Sequence, residues 1–213
     1  MIKVLYKIFF AIILMMITAS TFAQTAAPIA EIQSILEKPK IMCGRFDQTK
    51  LLVGINKPLL SNGRFCVVAD KGILWRTLYP FPNTLRLTQD EIIQTQGKQT
   101  TMRMDATQEP VVRMTNTVLF SLLAGDFSQL DKIFILNSHI ENSHWHVNLK
   151  AREPGLAKVI GNISLEGDQH VKKVNIQESN GDKTMIIFSD IKNGGNAMTK
   201  EEGALFDQEQ PLS

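Results

Sequence analysis

The sequence predicts an α+β fold in which a curved antiparallel sheet of about nine to eleven strands wraps around two or three helices. Two observations carry this prediction. From Gly44 onward, apolar and polar side chains alternate along most segments, which is typical of strands that bury one face. Two segments instead repeat apolar residues at helical spacing, and one of them is apolar nearly all round. Such a helix is expected to pack inside a concave sheet.

Residues 1–23 are expected to form a cleaved signal peptide, and residues 24–213 a single domain. Lys3 and Lys7 precede an apolar run that is too short to span a bilayer comfortably, and small residues around Ala23 suit cleavage. An uncleaved membrane anchor is the alternative interpretation. No cysteine stands directly after the cleavage site, and no linker rich in Gly, Ser or Pro divides the rest. We therefore expect a soluble periplasmic protein.

The charge balance argues against a nucleic-acid partner. The whole chain has 23 Lys and Arg residues against 21 Asp and Glu residues. Without Lys3 and Lys7, the two signs balance at 21 each. A balanced chain whose basic residues are scattered singly offers no long-range field to nucleic acid or to an anionic membrane.

Two cysteines, Cys43 and Cys66, remain in the mature chain. In an oxidising compartment, an even pair close in sequence usually forms a disulfide rather than a metal or catalytic site. The alternative is two buried free thiols, which would behave as small apolar side chains.

The first half of the mature chain contains one helix followed by strands. An amphipathic helix is expected over about residues 28–38, because apolar residues recur there every three or four positions. In the strands that follow, apolar and polar residues alternate; for example, Leu85 and Leu87 flank Arg86. Turn-forming residues separate them at positions 56–58, 61–63, 70–72 and 80–83.

The second half returns from a helix to strands. A helix is expected from about residue 115 to 124, and Gly125 suits its C-cap. The alternation of apolar and polar residues then predicts strands at positions 145–149, 157–165, 171–176 and 184–189.

No arrangement of residues predicts catalysis, so we expect a protein that is not an enzyme and uses no cofactor. His144 and His146 lie two residues apart on one face of a strand. They could bind a metal ion only if His139 or His170 joined them. Their alternation with Trp145 favours solvent-exposed imidazoles instead, and we expect no metal site.

Large apolar side chains are unusually frequent on the predicted strands. In most proteins such residues form the core. On a concave sheet they could instead hold acyl chains, since each buried CH₂ group contributes about 0.8 kcal/mol. The flexible methionines would suit that task. Periodicity alone does not separate a packed core from a binding cavity.

Several segments, taken in order, carry a family resemblance. Phe46 and Gln48 form an F-x-Q within residues 43–50, and Trp75 lies on an aromatic strand that is followed by Pro80. These segments resemble the LolA-like family of outer-membrane lipoprotein carriers, in particular the branch with a cysteine-bearing first hairpin. Further similar segments are 58–65, 117–126 (the inserted helix of the family), 171–176, 181–184 and 188–191.

The resemblance implies a half-open β-barrel that helices close over a hydrophobic cavity. Such a monomeric carrier would accept an acylated lipoprotein, or another lipid cargo, from an inner-membrane exporter and deliver it to an outer-membrane receptor. The residues expected to line the cavity are Phe46, Phe65, Val67, Trp75, Leu78, Leu85, Leu87, Met102, Met104, Leu119, Leu123, Phe134 and Trp145.

One departure from the family pattern bears on the cargo. Well-known members carry an Arg in an R-P-x-x-F-x-W stretch, and the corresponding stretch here, residues 69–75, contains none. Arg76 follows Trp75 and should point to the opposite face of its strand. A carrier for a glycolipid or a polyene lipid is therefore an alternative function. A periplasmic sensor of lipids or lipoproteins is a further, separate alternative.

Overall fold

The computed structural model describes residues 29–69, 71–105, 108, 110–124 and 127–207. The expected signal peptide and the expected C-cap Gly125 lie outside these residues. The strands are β1 (Ile41–Leu51), β2 (Leu59–Val68), β3 (Gly72–Tyr79), β4 (Asn83–Leu87), β5 (Glu91–Gln96), β6 (Gln99–Asp105), β7 (Phe134–Glu141), β8 (His144–Ala151), β9 (Asn162–Gly167), β10 (Val171–Gln177) and β11 (Lys183–Asn193). The helices are α1 (Ile29–Ile35), α2 (Pro110–Ala124), α3 (Pro154–Ile160) and α4 (Lys200–Asp207), with 3₁₀ turns at Phe127–Lys132 and Gly195–Ala197.

All eleven strands form one antiparallel sheet, which confirms the predicted fold class. Their order is β6-β5-β4-β3-β2-β1-β11-β10-β9-β8-β7, so consecutive strands are neighbours throughout both halves. The first and last strands of the chain, β1 and β11, pair in the middle and join the halves. The sheet is unclosed, because β6 and β7 stand at its two ends.

One face of the sheet, the inner face, carries the main core. Every strand contributes at least one side chain to it. Ile32 of α1 and the 3₁₀ residues Phe127 and Leu130 complete this core and are fully or almost fully buried. Since strands at both ends of the sheet reach the same core, the sheet curves around it, as the alternating pattern predicted.

Aromatic rings fill the middle of the inner face. Phe46 stacks on Trp75 with ring centroids 3.8 Å apart, and Phe188 meets Phe65 edge to face at 5.0 Å. Gly63, which pairs with Phe46 across β1 and β2, makes room for this arrangement. A Cβ atom at Gly63 would lie 2.9 Å from the Phe46 ring and 1.9 Å from the Arg76 carbonyl oxygen.

The opposite face, the outer face, carries a second and smaller core. Its centre is a disulfide between Cys43 and Cys66, which pair directly across β1 and β2 and are each 1% exposed. Helix α4 covers the disulfide and brings Phe206 against Leu74 of β3. The predicted disulfide is therefore present in the structure.

Two local predictions were wrong, and one helix was missed. Positions 61–63 lie within β2 rather than in a turn, because Gly63 serves close packing there and not a chain reversal. Residues 157–160 belong to helix α3, which Pro154 begins, and only residues 162–165 of the predicted strand lie in β9. Helix α4 was not predicted at all. Three α-helices pack against the main core, as expected, and α4 is a fourth on the outer face.

Candidate functional site

A cavity of about 210 Å³ lies on the inner face, between the sheet and helix α2. Strands β1, β3, β4, β10 and β11 form its walls, and α2 covers it. Ten of its eleven lining residues are apolar, and the exception is Gln48. The lining residues are Gln48, Ile73, Trp75, Leu85, Leu87, Leu119, Leu123, Val174, Ile176, Ile186 and Phe188.

The structure brings five of the thirteen expected cavity residues to this space: Trp75, Leu85, Leu87, Leu119 and Leu123. Five others are buried in the surrounding core without lining the cavity, namely Phe46, Phe65, Val67, Phe134 and Trp145. Met102 is partly buried against that core. Leu78 and Met104 are 48% and 36% exposed and do not line the cavity.

The lining residues that sequence analysis missed lie mainly on the last two strands. Val174, Ile176, Ile186 and Phe188 alternate with outward-facing residues, and both strands were predicted. Alternation marked each of them as facing inward. It carried no information on which inward side chains border an open space and which meet another side chain.

The size and chemistry of the cavity suit one short apolar segment. Its volume exceeds the roughly 150 Å³ of a dry apolar cavity that holds benzene, but lies below the roughly 300 Å³ at which ligand pockets usually begin. Lining groups are hydrocarbon apart from one amide, so the favourable interaction with a ligand is burial of apolar surface.

Helix α2 forms the cover of the cavity through Leu119 and Leu123. A side-chain hydrogen bond connects this helix to the turn between β4 and β5, since Asn116 Nδ2 donates to the Thr88 carbonyl at 2.9 Å. The other amide atom, Asn116 Oδ1, is buried and has no hydrogen-bond partner among the residues that the structure describes. A buried acceptor without a partner costs free energy, so this attachment of α2 is weaker than a fully paired one.

Arg76 lies on the outer face, as its position after Trp75 predicted. Its Nη2 donates to Glu201 Oε1 of α4 at 2.7 Å. The guanidinium group therefore holds α4 rather than the cavity cover.

The histidines do not assemble into a metal centre in the part of the chain that the structure describes. His139 and His146 stack with ring centroids 4.6 Å apart, whereas His170 lies near Glu37 and Asn193. Cys43, Cys66 and Glu202 are the residues there whose possible metal-ligand atoms lie close together, but both sulfur atoms are joined in the disulfide.

Glu202 is a deeply buried charged residue of the outer face, and its side chain is only 1% exposed. Burial alone would raise the pKa of its carboxyl group. Hydrogen bonds from Arg64 and Thr199 outweigh that effect and hold the pKa below its usual range. Arg64 Nε donates to Glu202 Oε1 at 2.7 Å, and the same contact raises the Arg64 pKa. The pair anchors α4 in its charged form.

The unclosed antiparallel sheet, with helices and an apolar cavity on its inner face, has the features that the family resemblance implied. The sequence agrees with the architecture: residues 26–205 match the model of the family described as "Outer membrane lipoprotein carrier protein LolA-like". The chain belongs to this family. Among the described residues, none of the helices is long and apolar enough to cross a membrane.

Several solved structures are similar to this chain at low sequence identity. A LolA superfamily protein from Nitrosomonas europaea has 9% identity and a TM-score of 0.42, with 83% of this chain and 98% of that chain covered. A DUF1329 family protein from Desulfovibrio piger has 8% identity and a TM-score of 0.44, with 78% and 90% covered. The MucA/MucB complex of Pseudomonas aeruginosa has 14% identity and a TM-score of 0.37, with 81% and 56% covered. A comparison with curated proteins gives no significant match.

Proposed function

We propose that the protein is a periplasmic carrier that binds acyl chains of lipoproteins, or of another lipid cargo, in the inner-face cavity and ferries them from the inner to the outer membrane. The observation that carries the proposal is the apolar cavity under α2, in a chain of the LolA-like family. The carrier is residues 24–213 after removal of residues 1–23, acts as a monomer and catalyses no reaction.

The cavity volume limits how much of a cargo fits without movement. Burial of six methylene groups would contribute about 5 kcal/mol, which is far less than tight binding of a membrane lipid requires. A longer chain, or a second one, needs α2 to move away from the sheet. Asn116 Oδ1, which is buried without a hydrogen-bond partner in the described part of the chain, supports α2 as the part that moves, because a buried acceptor of this kind destabilises the closed position.

The lining recognises the hydrocarbon part of a cargo. An apolar wall with a single amide, Gln48, would hold the chains of a lipoprotein, a glycolipid or a polyene lipid in the same way. The cargo class is therefore defined by its acyl chains, and an inner-membrane exporter and an outer-membrane receptor would select the particular cargo.

Two neighbouring isoleucines on β11 allow a matched test. Ile186 lines the cavity, and Ile187 is 42% exposed on the outer face. Ile186→Asn should weaken saturable binding of a fluorescent fatty acid on the order of tenfold, because it places an amide in the apolar wall. Ile187→Asn should leave the affinity unchanged. Trp75→Gln should act like the Ile186 variant.

The outcomes separate the carrier from a packed core. Absence of saturable binding to the wild-type protein, together with no lipid in an organic extract of protein purified from the periplasm, would overturn the proposal. Equal loss of binding in the Ile186 and Ile187 variants at equal melting temperatures would place the binding site elsewhere.

A further inference from the structure

Exposed apolar side chains concentrate on two neighbouring hairpin ends. Eight of the eleven large apolar residues described as strongly exposed lie at positions 51–60 and 78–81, which we call the tip patch. Phe81 is 74% exposed, Val53 is 67% and Tyr79 is 59%. Scattered single apolar residues are normal on a protein surface, but a cluster of this kind marks an interaction surface.

The two ends lie side by side because β2 takes part in both hairpins. Residue Lys50 of β1 pairs with Leu59 of β2, and Tyr79 of β3 pairs with Asn62 of the same strand. Adjacent strands are about 4.8 Å apart. The β1–β2 and β3–β4 turns therefore project from the same rim of the sheet and form one apolar surface.

The hairpin end that carries Val53 is ordered rather than loose. The Val53 amide donates to Asp182 Oδ1 at 2.9 Å, and the Ile55 amide donates to the Leu52 carbonyl at 3.1 Å. Lys50 and Glu178 form an ion pair at 3.1 Å beside them. These contacts fix the backbone of the hairpin end while its apolar side chains stay exposed, at a cost in hydration free energy that a partner would recover.

The rim also carries the charges and aromatic groups that suit a lipid surface. The carboxylates next to the tip patch, Glu178 and Asp182, are already engaged by Lys50 and by the Val53 amide. Lys57 and Lys183 are exposed on the same rim, where they can meet lipid phosphates. Tyr79 combines an apolar ring with a hydroxyl group, as residues at a membrane–water interface do.

We propose that the tip patch inserts into the head-group boundary of a lipid bilayer and docks the protein on the membrane. Side chains at the ends of hairpins point in several directions, and a fluid lipid surface can surround them more fully than a rigid protein surface can. The same rim adjoins the cavity: Gln48 and Ile176, which line it, are two residues from Lys50 and Glu178. Docking would bring that end of the cavity to the membrane. The proposal goes beyond carriage of acyl chains and does not depend on the cargo.

Flotation with vesicles of phosphatidylethanolamine and phosphatidylglycerol tests the docking. The variant with Val53→Ser and Phe81→Ser should lose vesicle binding on the order of tenfold, because less apolar surface enters the bilayer. The matched control carries Ile135→Ser and Ile187→Ser, which remove side chains 48% and 42% exposed elsewhere on the sheet. The control should bind like the wild type, and both variants should keep the wild-type melting temperature.

Two further measurements complete the test. A Trp introduced by Phe81→Trp should show a blue-shifted emission when vesicles are added, whereas the two native tryptophans in the wild-type protein should show no such shift. Added salt should weaken binding only slightly, since the attraction is mainly apolar and acts at short range.

Three outcomes would overturn the membrane proposal. The wild-type protein could fail to float with vesicles, or the tip variant and the control could lose binding equally. Sedimentation could also show that the wild-type protein is a dimer, that Val53→Ser and Phe81→Ser together make it a monomer, and that neither protein binds vesicles. The tip patch would then be an interface between two copies of the chain. Fatty-acid binding that persists in any of these cases would leave the carrier function intact.

Discussion

The inner and outer faces of strands β1 to β3 are stabilised in different ways. The inner face has stacked aromatic rings and an apolar cavity, whereas the outer face has a disulfide, a buried ion pair and helix α4. Adjacent residues supply both, since Phe65 belongs to the core of the inner face and Cys66 to that of the outer face. The disulfide and the ion pair of the outer face connect β1, β2 and α4. We infer that these contacts stabilise the strands enough for the inner face to contain a cavity.

The largest expected effect is on the inner face. Phe46→Ala should lower the free energy of unfolding by about 3 to 5 kcal/mol, because it removes a ring that is 1% exposed and stacked on Trp75. Urea unfolding followed by circular dichroism measures this loss. Phe81→Ala is the control, and its 74% exposed ring predicts a change within about 0.5 kcal/mol. Similar losses in both variants would contradict the assignment of the core.

The disulfide of the outer face comes next. Replacing Cys43 and Cys66 together by Ala should lower the free energy of unfolding by about 2 to 4 kcal/mol, since the bridge restricts the unfolded chain. A reducing agent should destabilise the wild-type protein by a similar amount and leave the double variant unchanged. Two alkylated thiols in native protein under non-reducing conditions would show that the bridge does not form.

The buried ion pair should have a smaller effect, which depends on pH. Glu202→Gln should cost about 1 to 2 kcal/mol at neutral pH, with Arg64 partly exposed and therefore partly screened. The folded pKa of Glu202 is lowered, so the advantage of the wild type is present above about pH 4.3 and shrinks as the pH falls through that value toward the folded pKa. Urea unfolding of both proteins across this range measures the difference. An advantage independent of pH would show that the carboxylate charge does not contribute.

The smallest effect is expected at the neighbouring exposed pair. Glu201 binds Arg76 at 2.7 Å, but its side chain is 70% exposed. Glu201→Gln should therefore change the free energy of unfolding by less than about 0.5 kcal/mol. This variant is the matched control for Glu202→Gln, because the two residues are adjacent on α4. A loss as large as that of Glu202→Gln would mean that exposure does not weaken the pair.

The strands were the most predictable part of the fold. Alternation is a local property, so residues such as Leu85, Leu87, Val174 and Ile176 showed their orientation in the sequence itself. Helix α4 gave no comparable signal. It has eight residues, and its buried residues are Glu202 and Phe206. Its position depends on a salt bridge to Arg64, a residue distant in sequence, which periodicity does not detect.

The sequence predicted which side chains face the inside of the sheet, but not which of them border the cavity. Five of the expected residues line the cavity, and Phe46, which was also expected there, is instead packed against Trp75. The difference depends on Gly63, whose missing side chain lets the Phe46 ring approach β2. In the sequence, the same glycine indicated a turn. Such close approaches involve residues on three strands, so alternation along one strand does not reveal them.

The pairing of the first strand with the last has a consequence for the order of folding. Each half of the sheet is a meander of local hairpins, but the ladder between β1 and β11 joins residues as distant as Met42 and Asn193. Contacts of such high sequence separation form slowly, because the loss of chain entropy precedes them. Because the chain is synthesised amino terminus first, one edge of β1 stays without its partner until nearly all of the polypeptide is available. That edge is the most exposed to wrong pairing with other chains in this interval.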